Sequence, residues 1–342
     1  KELYDAPSAI CYGRMGVSTQ RYGTLCQWLI QLINVVTGNL DKAGGSLFTL
    51  PAMDQVPNTR PGGFGRTKSR VRGLPEFDNE LPASTLADEI LSSGTGQIKA
   101  LFTGAGNPVL STPNGSKLDQ ALETLDFMVS LDFYINETTR HANIILPPTS
   151  PLEHDHYDLA FHINSIRNTA RFNEPVFEKP SNALHDWEIF SRLGELVATE
   201  LGLEPRPKFS PAELVDNGLK SGPYGEGKKE NLSLEMLRKY PSGIDLGPLK
   251  KMLPERLQNP EKKIICDTKE PIEALSRLPV EFEEQSGSDL YLIGRRHVRS
   301  NNSWMHNFRR LVKGKNRCTL MMHPEDMEKR DLQDGNAARV TS

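Results

Sequence analysis

Between Ile98 and Leu146 the hydrophobic period switches from strand to helix and back, and this stretch restricts the fold more than any other. "IKALFTG" (98–104) is a β-type run, and "GSKLDQALETL" (115–125) places Leu118, Ala121, Leu122 and Leu125 on one helical face. "FMVSL" (127–131) is a second buried strand and "NIIL" (143–146) a third. Strand, helix, strand in that order predicts a right-handed parallel βαβ unit. Open sheets of this kind hold ligands beyond the carboxyl ends of their strands. Those ends are "GAGNPVLSTPN", Asp132 and "PPTSPLEHDH".

Helices flank this unit. Leu25, Trp28, Leu29, Leu32, Ile33 and Val36 recur at helical spacing, with Thr24 placed to cap the start and Gly38 to end it, so a buried helix is expected there. "CYGRMGVSTQRYG" precedes it, with glycines at 13, 16 and 23 that allow a ligand to approach the backbone, although such loops commonly only make turns. "LHDWEIFSRLGELVATEL" (184–201) predicts a second amphipathic helix with Trp187, Phe190, Leu193, Leu196 and Val197 on its inner face, packed on the same sheet. Residues 51–82, rich in Pro, Gly and Arg, read as a long loop whose Arg60, Arg66, Lys68, Arg70 and Arg72 have the chemistry to grip phosphate but, without interleaved aromatics, read as a solvated surface. Residues 203–285 are broken by Pro and Gly, with short helices at best. A new strand is expected from Asp289, "DLYLIGRR", and short strands around a turn follow, as in a small β-barrel. The expected organisation is an α/β region with a parallel sheet and flanking helices over 1–285, then the start of a small barrel domain over 286–342.

Charge and cysteine usage narrow the function. Forty-one basic and 44 acidic side chains leave a net charge of −3, so no overall field draws the chain to nucleic acid or an anionic membrane. The longest apolar stretch, Leu25–Val36, is interrupted by Gln27, Gln31 and Asn34, too short and too polar to cross a bilayer. The four cysteines, at 11, 26, 266 and 318, show no metal-ligand spacing and are too few for a disulfide scaffold, which points to a reducing, cytoplasmic compartment. The start lacks both an initiator Met and a signal-peptide pattern, and the end stops inside an alternating pattern. A piece of a longer polypeptide is therefore expected, and an export signal before Lys1 would redirect it to the periplasm.

Glu153, His154, Asp155 and His156, with His141 and His162 nearby, raise the question of a metal site. The prolines at 147, 148 and 151 argue instead for a polar loop at the mouth of the sheet, and in a third reading the imidazoles donate hydrogen bonds to an organic cofactor.

Several ordered stretches resemble one family. "GRMGVSTQRYGTLCQWLIQLINVVTGNLDKAGG", "IKALFTGAGNPVLS", "LDFYINETTRHANIILPPTSPLEHD" and "LYLIGRRHVRSNNSWMHN" with "HPEDMEKRDLQDGNAARVTS" are similar to segments of the molybdopterin oxidoreductases, the group of formate dehydrogenases, nitrate reductases and dimethyl sulfoxide reductases. The resemblance implies a bis(molybdopterin guanine dinucleotide) cofactor carrying molybdenum or tungsten, and two-electron redox chemistry on a small-molecule substrate, with an electron-transfer subunit as partner. It implies cofactor contacts from Met15 and Gln20, with Thr19 as the alternative to Gln20. It further implies contacts from Asn107, Asp132, His154 (where many relatives carry a lysine), Asp186, and the loop Gly294, Arg295, Ser300, Asn301 and Asn302. By the resemblance His154 faces the organic part of the cofactor rather than a metal. The metal-ligating residue and the 4Fe–4S cluster that some members carry lie upstream of these motifs in the family. The arginine and glutamine that formate dehydrogenases place after the "TGN" segment have no clear counterpart in "SLFTLPAMDQVPNTR". The rival readings are a subunit that kept the fold without the cofactor, as in respiratory complex I, and a nucleotide-binding module using the βαβ unit alone.

Overall fold

The computed structural model of the chain describes all residues except 61, 205–206, 285–289, 296, 301–304, 306–307 and 342. Among the described residues the strands are β1 (Phe64–Lys68), β2 (Pro75–Phe77), β3 (Ala100–Gly104), β4 (Phe127–Leu131), β5 (Ile144–Ile145), β6 (His156–Tyr157), β7 (Arg167–Ala170), β8 (Phe172–Asn173) and β9 (Ile244–Pro248). The mixed α/β class and the parallel sheet agree with the sequence.

The central sheet runs β3-β4-β5, all parallel, with Ala100 opposite Phe127, Gly104 opposite Leu131 and Val129 opposite Ile144. Alternation puts Met128 and Ser130 on the buried side of β4. There the Ser130 hydroxyl meets that of Thr103 at 2.7 Å, which satisfies two polar groups inside the sheet. The crossover helix Gly115–Leu122 buries Leu118, Ala121 and Leu122 against Met128, Val109 and Ile90. Each large side chain so buried is worth ~1.5–3 kcal/mol. Gly115 is required at the helix start, because a Cβ there would lie 2.0 Å from the Val109 carbonyl oxygen.

Beyond β5 the chain makes an isolated parallel bridge, Pro148 to Leu184, and Thr149 N–H donates to the Leu184 carbonyl at 3.0 Å. This sets the helix Asp186–Glu200 beside the carboxyl end of the sheet, with Phe190 against Phe102 of β3 at 5.6 Å between ring centroids. A second core gathers Ala52, Ala170, Phe172, Leu219, Leu232 and Leu237 under the β7–β9 ladder. It is tied down by the Arg256–Asp54 ion pair, whose side chains are only 8% and 7% exposed.

Five expectations need correction. Residues 51–82 are not a loop: β1 and β2 form an antiparallel hairpin. Nor are its arginines simply solvated. Arg66 donates to buried Glu76 at 2.8 Å, Arg70 pairs with Glu89 at 3.2 Å and Arg72 approaches Asp88 at 4.0 Å. Residues 203–285 hold more order than short helices, with an 11-residue helix Pro211–Ser221, β9, and a 16-residue helix Lys269–Glu284. The helix Gly23–Val36 starts after Tyr22, not at a Thr24 cap. It turns Asn34 inward, because that amide satisfies both the N–H and the C=O of Cys11, each at 2.8 Å, and Ile33 and Val36 are left exposed. Ile189 is the buried residue of the helix Asp186–Glu200, whereas Leu196 and Val197, placed on its inner face by the sequence, are 64% and 57% exposed. Val197 borders an open groove of about 580 Å³ shared with Phe190, Leu203, Phe209 and Leu214.

Past residue 290 the described residues hold two short helices, Arg309–Val312 and Pro324–Glu328, and no strand. The expected boundary near 286, the strand start at Asp289, and Asn301 and Asn302 fall outside the described residues. Among the described residues no helix is long and apolar enough to cross a membrane.

Candidate functional site at the strand ends

Because β3, β4 and β5 are parallel and in register, the residues that follow them share one edge of the sheet. The loop after β3 carries Asn107, which precedes the turn Pro108–Ser111. Its amide Nδ2 donates to Glu137 Oε2 at 2.7 Å, and its Oδ1 accepts from Thr138 Oγ1 at 2.7 Å. Thr138 is fully buried, and its hydroxyl oxygen also accepts from Val109 N–H at 3.1 Å. Asn107 therefore latches the loop after β3 to the loop after β4. An amide has two N–H groups and two oxygen lone pairs, so one donor stays available to a ligand.

Asp132 directly follows β4. Its Oδ1 accepts from Tyr134 N–H at 3.0 Å and its Oδ2 from the Asn136 amide at 3.3 Å. The carboxylate thus supports its own turn, while Asn136 takes the N–H groups of Thr138 and Thr139, both at 2.9 Å. Each carboxylate oxygen keeps a second lone pair. The same loop is braced from behind by Asp119, which accepts from Arg140 and His141, both at 2.7 Å. The His141 bond, then the Arg140 bond, holds the Asp119 carboxyl below its ordinary range.

The loop after β5 carries Glu153, which accepts Ser150 N–H at 2.8 Å, and His154. The His154 Nδ1 lies 2.7 Å from the Asp155 carbonyl, an acceptor only, so Nδ1 carries the proton and Nε2 of the neutral ring presents a lone pair. With Nδ1 committed to the Asp155 carbonyl, Nε2 is the His154 nitrogen left to face a ligand, and in the neutral ring it accepts. Among the described residues no group of three His, Cys, Asp or Glu side chains is arranged to hold a metal ion. Asp186 begins the helix beside this loop and, exposed, bonds Trp187 N–H at 2.8 Å. His185, which sequence reasoning missed, sits between them with its ring edge-on to His154 at 6.1 Å and stacked on Trp187 at 6.4 Å.

Asn107, Asp132 and His154, on loops, and Asp186, at a helix start, thus lie along one rim; the other candidates lie elsewhere in the chain. Met15 is exposed at the start of the short helix Met15–Ser18. Gln20 folds back, accepting Tyr22 N–H at 2.8 Å and donating to Val17 O at 3.2 Å, while the Thr19 hydroxyl caps Met15 O at 2.8 Å. Gly23, just after, is required: a Cβ there would meet the Ser18 carbonyl oxygen at 2.0 Å. Arg295 donates to neutral acceptors, Met321 sulfur, Thr319 Oγ1 at 3.2 Å and Arg317 O at 3.4 Å. Gly294 has open space around it and Ser300 bonds His297 O at 3.0 Å. Loss of solvent, then Arg317, Arg299 and Arg295, lowers the proton affinity of His297, a sign of concentrated positive charge.

The family model described as molybdopterin oxidoreductase matches residues 1–196, more than half of the chain, and the molydopterin dinucleotide binding domain matches residues 290–342. The chain belongs to the molybdopterin oxidoreductase family. The assimilatory nitrate reductase catalytic subunit of Bacillus subtilis (strain 168) is 32% identical over 236 residues, covering 64% of this chain and 32% of that protein. The F420-dependent formate dehydrogenase subunit alpha of Methanocaldococcus jannaschii is 25% identical over 218 residues, covering 60% and 31%. The Bacillus subtilis protein named Probable oxidoreductase YjgC is 26% identical over 362 aligned positions, covering 98% and 34%. The chain spans about a third of the length of these curated relatives.

Proposed function

We propose that this molybdopterin oxidoreductase chain is the part of a larger enzyme that cradles a bis(molybdopterin guanine dinucleotide) carrying molybdenum or tungsten. The observation that carries the reading is the shared strand-end rim, where three adjoining loops and a helix start bring Asn107, Asp132, His154 and Asp186 to one end of the sheet.

The donor chemistry of the rim fits such a group. Asp132 keeps carboxylate lone pairs for the paired N–H groups of a guanine, Asn107 keeps one amide N–H, and His154 offers the Nε2 lone pair. Arg295, whose acceptors among the described residues are neutral, keeps its charge for a diphosphate, in what we take to be the start of a small barrel domain over 286–342. Met15 adds an exposed apolar side chain for a planar ring system. When bound, the metal cofactor supplies two-electron redox chemistry, and the protein binds, orients and electrostatically tunes it. The substrate is a small molecule, and electrons pass to or from a partner subunit.

Metal analysis of the full-length polypeptide, expressed in a host that makes the cofactor, tests this directly. One molybdenum or tungsten per polypeptide is expected. None would favour a cofactor-free subunit of the same fold.

A further inference from the structure

Two imidazoles meet at the rim, and the protein has fixed one nitrogen of each. His154 gives its Nδ1 proton to the Asp155 carbonyl at 2.7 Å. His185 Nδ1 lies 2.7 Å from the Thr149 hydroxyl. Thr149 is buried, and among the described residues its hydroxyl has no other acceptor, so its proton is satisfied by pointing at His185 Nδ1. That makes Nδ1 the lone-pair nitrogen of His185 and puts its proton on Nε2. The two rings stand edge-on, 6.1 Å apart and at 88°, and stacking of His185 on Trp187 holds the second ring in place. Neither Nε2 has a protein partner among the described residues. The two neighbouring rings therefore offer one acceptor, His154 Nε2, and one donor, His185 Nε2–H.

We infer that His185 and His154 together read the lactam edge, a ring C=O beside a ring N–H, of a cofactor heterocycle. Donor meets carbonyl and acceptor meets N–H, in two hydrogen bonds of about 2.9 Å converging on one edge. Guanine and pterin both carry that edge, and adenine carries none. The function differs from that of Asp132, which as a carboxylate accepts two N–H groups and donates nothing. His185 is thereby a specificity-determining residue, and the inference rests on the cofactor reading above.

The test uses the full-length polypeptide stripped of cofactor, with GMP and AMP titrated calorimetrically, and the loaded polypeptide, with retained pterin measured as its fluorescent oxidation product after dialysis. His185→Gln places an amide where Nε2 stood, whereas His185→Asn reproduces only the Nδ1 contact with Thr149. His154→Phe keeps the ring edge without the acceptor. If guanine lies on the pair, His185→Asn and His154→Phe weaken GMP binding about tenfold, the worth of one such bond. His185→Gln then stays within about threefold of wild type and AMP binding is negligible. If the pterin lies there, GMP binding is unmoved and retained pterin falls about tenfold in the same two variants. Retention by Asn with loss in Gln, equal loss in both, or no change in either assay would each overturn the inference. If His185→Asn fails to fold, His154→Phe decides by itself, with normal binding and retention overturning it. A wild-type polypeptide that carries no pterin and binds no GMP overturns the cofactor reading itself.

Discussion

Replacing Asn107 with Ala removes the latch between the loops after β3 and β4. Two bonds of 2.7 Å are lost, one to Glu137 at the surface and one from the buried Thr138 hydroxyl. The second matters more, because Thr138 is fully buried and its O–H is left with no acceptor. An orphaned buried donor costs ~1–3 kcal/mol and a lost partly exposed bond ~0.5–1.5, so Asn107→Ala is expected to destabilise the chain by roughly 2–4 kcal/mol. Asn107→Asp separates the two bonds: the acceptor for Thr138 survives, but a carboxylate replaces the amide facing Glu137. Two charges about 3 Å apart repel by over 1 kcal/mol even at the dielectric of water. That repulsion raises the folded-state pKa of the pair, so the penalty is present at neutral pH and is relieved as pH falls through the raised value. Urea denaturation of the intact chain at pH 7 and pH 5 measures both effects. A cost below about 0.5 kcal/mol for Asn107→Ala, or a pH-independent cost for Asn107→Asp, would refute the latch, being within the scatter of ordinary surface changes.

Asp54→Ala should cost ~3–5 kcal/mol in chemical denaturation by stranding the buried Arg256 charge, while joint replacement by Asp54→Leu and Arg256→Met costs much less. Among the described residues buried Tyr157 Oη has no hydrogen-bond partner, so Tyr157→Phe should raise stability by ~1 kcal/mol; a loss would reveal a partner for that hydroxyl. Burial, opposed by Asp158 and aided by His156, holds the His162 pKa below its ordinary value, so the unfolded chain binds protons more readily and stability should fall as pH drops below about 6.5. His162→Leu should flatten that slope, and an unchanged slope would point to another group. Asp132→Asn sets an amide donor against a guanine donor, so cofactor loading should fall while the melting temperature of the apo-protein barely moves; the reverse would make Asp132 a turn support alone.

The βαβ unit was legible because its periods change cleanly and its apolar residues, Met128, Leu118 and Leu122, are those the structure buries. From the order of strands alone, the rim at their ends followed. The hairpin was not legible, because "FGRTK" and "PEF" lack alternation and its stability comes from arginines paired across to buried Glu76 and Glu89. Amphipathic helices announced an apolar face but not what covers it: Leu196 and Val197 look like core in the sequence and are exposed in the fold, Val197 at the edge of a groove. His185 was missed because its partner Thr149 lies 36 residues away, and the bridge from Pro148 to Leu184 that joins them leaves no local pattern. The Asn107 latch has the same origin, its partners Glu137 and Thr138 lying 30 and 31 residues on.

Acid release of nucleotide from the purified full-length polypeptide, quantified by chromatography against its metal content, tests the central claim most directly. A rim and a diphosphate loop that together hold a bis(molybdopterin guanine dinucleotide) predict two GMP for each molybdenum or tungsten. Metal without GMP, or neither metal nor GMP after expression in a cofactor-competent host, would contradict it.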